Sequence, residues 1–219
     1  MKVGIIPVNI GVESVDQIIG LSQLAESLKY ESVWTFEHVI VPVDYDSKYP
    51  YNDSGKMGTP PETNFVDPLI ALTAVAAVTK EIRLGTGVNI LSQVNPLYMA
   101  KQAASLDFVS NGRFMLGVGI GWLKEEFEAL QIPWEKRASR TRDYLAAMKE
   151  LWTTSKSKHD GNFCAFPEVR SYPKPVQKPY PPIIFGGESD AALKRVGQIG
   201  DGWWGVNVTL EAAEKHIKT

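Results

Sequence analysis

The sequence predicts an α/β fold, a TIM (β/α)8-type barrel shortened to about six βα units. Three observations carry the expectation. Strand-like and helix-like segments alternate along the chain, as they do where parallel strands are joined by crossover helices. Asp67-Pro68 and Asn95-Pro96 each open a helix, because the first residue caps orphan amides and proline is tolerated where an N–H has no intrahelical partner. Residues suited to chemistry close the second to sixth strands alike; a barrel gathers such ends on one face, whereas a doubly wound sheet concentrates its site at one switch point. Periodicity alone leaves both architectures open. Complete barrels usually run to about 250 residues and eight units, and these 219 residues hold six.

Val3 to Val8 reads as a buried strand, and residues 14–28 as a helix with Val15, Ile18, Ile19, Leu21, Leu24, Ala25 and Leu28 at helical spacing. Glu31 to His38 is the second strand. Residues 39–64, rich in Pro, Gly, Asp, Asn and Tyr, form a long loop, and insertions of that length in compact domains usually serve as lids or binding loops. A small-residue helix from Pro68 leads to the third strand, Ile82 to Ile90. The helix from Pro96 stops at Asn111-Gly112, and a fourth strand from Arg113 runs into the glycines of 117–121. Both strands end in glycine, which lets a planar or phosphorylated group approach the backbone. Trp122 to Leu130 is helical, Ile132-Pro133 breaks it, and Arg137 to Trp152 is a second amphipathic helix in the same connection. Residues 155–182 contain six prolines and read as a second insertion, a long irregular crossover. Pro182 to Gly187, Ser189 to Ile199, Gly202 to Val206 and Leu210 to Lys218 complete the alternation. All of it belongs to one domain, residues 1–219.

With 44% hydrophobic residues the chain buries one sizeable core, and no segment is of low complexity. A net charge of −2 provides no basic field for nucleic acid or an anionic membrane, so the expected partner is a small molecule. The single cysteine, Cys164, excludes an internal disulfide and a thiolate zinc site. Met1 to Ile6 runs into a strand without a signal-peptide pattern, and no apolar run reaches bilayer length, so a cytoplasmic location is expected.

Ser32-Val-Trp-Thr-Phe-Glu-His38, Asp67-Pro-Leu-Ile-Ala-Leu72 and the run from IRLGTGV to SNGRFMLGVGIGW stand in a specific order. Glu125 to Leu130, Lys174 to Gln177, PPIIFGG and GDGWW continue it. Together they resemble the luciferase-like monooxygenase superfamily and, within it, the coenzyme F420-dependent oxidoreductases. The resemblance covers almost the whole chain. It implies a barrel, a deazaflavin (coenzyme F420) or, alternatively, FMN at its carboxyl face, hydride or oxygen chemistry at the ring, and a homodimer. A barrel that binds flavin without catalysis, or binds none, is the remaining reading.

His38 follows Glu37 at a strand end, so a barrel places an imidazole and a carboxylate at its mouth. An imidazole titrating near neutrality moves a proton as hydride reaches or leaves a ring carbon. A lone strand-end histidine is more often a surface residue; the resemblance makes Glu37 and His38 the catalytic pair over the ring. It also implies a cis peptide at Gly87-Val88 supporting the ring, with Gly87, Val88 and Asn89 as cofactor-binding residues; a plain glycine bulge is the alternative. The glycines of 117–121 match a dinucleotide fingerprint only superficially. Gly119 and Gly121 are therefore expected in a barrel loop beside the cofactor, which the resemblance lines with Trp122 and Glu125. Glu126 and Glu128 are expected to be solvated. Gly186, Gly187 and Ser189 open a helix whose amides and hydroxyl cap suit a phosphate, although Glu188 and Asp190 flank them. At least two of Arg137, Arg140 and Arg142 are expected on a solvated face. His159 and His216 are expected to be solvated too, with no metal site. Tyr45, Tyr49, Tyr51, Asn52 and Lys56, in the loop of 39–64, either cover a substrate or stand exposed.

Overall fold

The computed structural model describes residues 2–218. In chain order its elements are β1 (Gly4–Ile5), α1 (Val15–Ser27), β2 (Ser32–Thr35), α2 (Pro68–Val78), β3 (Arg83–Thr86), β4 (Asn89–Ile90), α3 (Pro96–Val109), β5 (Phe114–Gly119), α4 (Lys124–Ala129), α5 (Arg137–Thr153), β6 (Ser157–Asp160), β7 (Ala165–Val169), β8 (Ile183–Gly186), α6 (Asp190–Ile199), β9 (Gly202–Trp204) and α7 (Leu210–Ile217). The two cap-plus-proline signals hold: Asp67 accepts from the Leu69 and Ile70 amides, and Asn95 from those of Leu97 and Tyr98. The first two strands are shorter than expected. Pro7 has no N–H to offer a ladder, and Phe36, Glu37 and His38 turn out of the sheet toward other partners.

The main sheet is parallel throughout, in the order β1-β2-β3-β5-β8-β9, with β4 continuing beyond β3 along β5. Strand side chains alternate between faces. Val33, Leu84, Phe114, Leu116, Val118, Ile183 and Phe185 share one buried cluster with Leu72 and Val75 of α2 and Ala100 and Ala103 of α3. The opposite face carries Trp34, Gly85, Met115, Gly117, Ile184 and Trp204. A Cβ on Gly85 would come within 2.1 Å of the Trp34 ring, so only glycine lets the indole lie across β3.

That face is concave. β3, β5 and β8 separate β2 from β9, which in a flat sheet puts them about 19 Å apart at about 4.8 Å per strand. Yet the Trp34 and Trp204 ring centroids are 4.4 Å apart. The sheet therefore curls into a partial barrel of six βα units, with the two indoles meeting inside it. At the amino-terminal ends of the strands, Arg113 donates to Ala76, Thr79, Ile82 and Ser110 carbonyls, and Glu26 accepts from the Lys80, Glu81 and Ile82 amides. Those bonds satisfy the carbonyls where α2 ends and tie α1 to the turn into β3.

Four expectations are corrected. The crossover at 155–182 is not irregular throughout, because β6 and β7 form an antiparallel hairpin. His159 is not solvated: its Nε2 lies 2.8 Å from Asp143, whose other oxygen accepts from the Phe163 and Cys164 amides and pins the hairpin to α5. His216 is half-buried, edge-on to Trp203 with centroids 5.4 Å apart. Of Arg137, Arg140 and Arg142, only Arg142 is exposed. Arg140 is buried and donates to the Ser92 and Glu135 carbonyls, while Arg137 lies over Trp134 and donates to Gly121.

Candidate active site at the carboxyl ends of the strands

Buried Asn9 organises the chain where it leaves β2. Its Nδ2 donates to the Phe36 and Val66 carbonyls and its Oδ1 accepts from the Phe36 amide. This fixes both ends of the loop of 39–64, since Phe36 precedes it and Val66 follows it. Glu37 and His38 then point to different partners. Asn89 donates to Glu37 Oε2 at 2.7 Å. Burial pushes the Glu37 carboxyl up to about 8, the Asn89 hydrogen bond opposes the rise, and the nearby Asp67 and Glu126 charges add to it.

His38 lies edge-on to Phe65 and Trp122, with centroids 5.5 and 6.0 Å away. Its Nδ1 is 3.2 Å from Glu126 Oε2. Glu126 is the residue that sequence reasoning misplaced: it is 2% exposed, not solvated. Its Oε1 accepts from the Val39 and Ile40 amides at 2.7 and 3.3 Å, and its Oε2 also accepts from Gln93 Nε2. A carboxylate buried this deeply needs every such donor. Its only signal in the sequence was its place directly before Phe127, which packs completely. Asn9 and Gln93 were missed as well.

Glu125, one residue earlier, serves the middle of the same loop. Its Oε1 accepts from the Asp46 and Ser47 amides, and the Ser47 hydroxyl accepts from the Lys124 amide. Burial alone would raise the Glu125 carboxyl, but the Ser47 hydroxyl and the backbone N–H groups hold it at about 2. Trp122 packs edge-on against Tyr45 and Tyr49, and Tyr49 against Tyr51. The Lys56 ammonium sits 4.1 Å over the Tyr45 ring. The loop is thus seated on Trp122 and α4 beside His38, and these aromatics do not stand free in solvent.

The peptide Gly87-Val88 is cis and separates β3 from β4. Val88 occupies the space beside the other strand ends: a Cβ on Gly119 would meet its Cγ2 at 2.7 Å, and one on Gly186 its Cγ1 at 3.3 Å. At Gly121, φ is +82° and the Phe127 ring fills the room a side chain would need. Packing alone therefore requires glycine at 119 and 121, whatever the site binds. Ser189 caps α6 by accepting from Ala192, and Gly187 has φ of +116°. Glu188 is turned aside to accept from the Val206 amide at 2.8 Å. Asn89 Oδ1, Gln93 Oε1 and Glu125 Oε2 are buried without a hydrogen-bond partner among the described residues, so this end of the barrel holds three acceptors suited to the N–H or O–H of a bound molecule. No group of three or more His, Cys, Asp or Glu able to hold a metal ion occurs among the described residues. No helix among them is long and apolar enough to cross a membrane.

A partial barrel with titratable groups gathered where its strands end has the layout of a (β/α)-barrel functional site. The chain belongs to the luciferase-like monooxygenase family, whose family model matches residues 4–219. An uncharacterized protein of Mycobacterium tuberculosis is 33% identical over 182 residues, covering 83% of this chain and 64% of that protein. The FMNH2-dependent dimethylsulfone monooxygenase of Pseudomonas putida is 32% identical over 137 residues, covering 61% of this chain and 37% of that enzyme. The coenzyme F420 dependent tetrahydromethanopterin reductase of Methanopyrus kandleri has a TM-score of 0.76 at 19% identity, covering 100% of this chain and 58% of that one, a likeness of fold. The chain spans less than two thirds of the length of each.

Proposed function

We propose that this chain carries the cofactor face of an oxidoreductase that passes a hydride between the deazaflavin coenzyme F420 and a small organic substrate. The observation supporting this reading is the Glu37, His38 and Glu126 cluster. Hydride transfer to or from a neutral organic molecule needs a proton to move alongside it, and a positioned imidazole or carboxyl is the usual carrier. Glu37, pushed up to about 8, holds its proton at neutral pH, and His38 exchanges one with the substrate. Phe65 and Trp122 flank the imidazole and limit water around it.

The deazaflavin, when bound, supplies a ring carbon that accepts and returns hydride. Gly87, Val88 and Asn89 support the ring, and the orphaned Asn89 and Gln93 oxygens take its polar hydrogens. Gly119, Gly121 and Glu125 hold the loop beside it. Gly186, Gly187 and Ser189, with Glu188 turned away, receive the phosphate at the start of α6. The working form is a cytoplasmic homodimer.

A second reading is an FMN-dependent monooxygenase, which the 32% identity to the dimethylsulfone enzyme favours. Equilibrium fluorescence titration of the pure protein with both cofactors separates the two. Tighter binding of F420 than of FMN is expected. Tighter FMN binding moves the protein to the monooxygenase reading, and binding of neither leaves a barrel that has lost its cofactor.

A further inference from the structure

We infer that Glu126 is the positioning residue that sets the tautomer of His38, holding hydrogen on Nδ1 and leaving Nε2 as the proton acceptor. The inference deepens the reading of His38 as the proton-handling group. Its first support is a count of donors. Glu126 Oε1 receives two backbone N–H groups, from Val39 and Ile40. Its Oε2 receives one N–H of the Gln93 amide and faces His38 Nδ1 at 3.2 Å. Every contact of this buried carboxyl group is then satisfied if it is an ionised acceptor and Nδ1 donates. The Nε2 atom has no hydrogen-bond partner among the described residues.

The second support is the way Glu126 is held. The two amides it accepts belong to the residues directly after His38, so one side chain fixes both the imidazole and the backbone that carries it. A histidine ring has its tautomer chosen by the hydrogen bond its other nitrogen makes. With Nδ1 committed to Glu126, a neutral His38 presents a lone pair from Nε2, while a protonated one presents an N–H from the same atom. Proton traffic is thereby confined to one nitrogen.

Glu126→Gln makes the inference testable, because an amide has one acceptor oxygen and one donor nitrogen. The Val39 and Ile40 amides hold the oxygen, so the new NH2 group must face His38 Nδ1 and Gln93. His38 must then accept at Nδ1 and carry its hydrogen on Nε2. The Gln93 amide turns over, giving its orphaned Oε1 a partner. The tautomer therefore inverts.

The measurement is the 15N spectrum of ring-labelled protein above the titration of His38, since protonated and bare ring nitrogens differ widely in shift. Only three histidines are present, and His38→Gln assigns the signal. Nδ1–H in the native protein and in Glu126→Asp, with Nε2–H in Glu126→Gln, is the expected result. Nε2–H in the native protein, or Nδ1–H persisting in Glu126→Gln, overturns it. Should Glu126→Gln not fold, the 13C shift of the native Glu126 carboxyl decides: ionised while His38 is neutral supports the inference, protonated refutes it. None of these readouts needs bound cofactor or turnover. A positive result with a catalytically dispensable His38 would sink the proposed function and leave the tautomer assignment standing.

Discussion

At the scale of single residues, Glu37 makes stability depend on pH in a direction opposite to most carboxylates. Its carboxyl rises from 4.5 to about 8 on folding, so between those values the folded chain holds a proton that the unfolded chain releases. Stability from this group is complete below 4.5 and is lost as pH rises through about 8. Glu37→Gln is neutral at every pH and escapes that loss. Urea unfolding at pH 5 and pH 9 is expected to show the native protein losing a few kcal/mol relative to Glu37→Gln across the interval, and equal losses would mean the carboxyl ionises freely. The neighbouring imidazole is tested by rate. His38→Ala is expected to slow single-turnover hydride transfer by about 10² to 10⁴ while cofactor affinity stays within a few-fold. An unchanged rate would reduce His38 to a residue that merely ends a strand.

On the level of elements, helix α4 is only six residues long and has two consecutive carboxylates that hold one loop at two places. Glu126 secures the start of the loop and Glu125 its middle, at Asp46 and Ser47. Hydrogen bonds to a charged group contribute about 1.5 to 3 kcal/mol. Glu125→Ala is therefore expected to speed amide hydrogen exchange at Asp46 and Ser47 by about tenfold or more, with β5 protection unchanged. Exchange at native rates would mean that Trp122 alone seats the loop. The Glu125 carboxyl is depressed to about 2, so this hold is complete above 4.5 and fades as pH falls through about 2. Most elements were legible beforehand because capping, proline and periodicity are local signals. The β6–β7 hairpin was not, since its composition is that of a loop and its stability comes from Asp143, 16 residues before its partner His159.

At the scale of the whole described chain, β1 and β9 are the outer strands of the sheet, each paired on one side only among the described residues. Helix α7 has no buried residue, and Leu210 and Ile217 are 83% and 76% exposed beside that edge strand in sequence. Unpaired edges and apolar side chains in water favour association. The 219-residue chain is expected to dimerise, burying more than about 1,000 Å², and Leu210→Glu with Ile217→Glu to weaken the dimer. Light scattering over a concentration series measures this; a monomer at every concentration, with β1 and β9 strongly protected from exchange, would refute it.

The sequence by itself determined the alternation of elements, the helix starts at Pro68 and Pro96, the parallel sheet and the strand end that carries Glu37 and His38. These follow from interactions within a few residues of one another. Tertiary structure alone decided the partners. Trp34 meets Trp204 because the sheet curls, Glu126 reaches His38 across 88 positions, and Val88 claims the space beside Gly119 and Gly186. A glutamate on a short helix reads as solvated because most are. Only when β2, its loop and α4 converge does one such carboxylate become surrounded by donors, and burial then makes each of those hydrogen bonds obligatory.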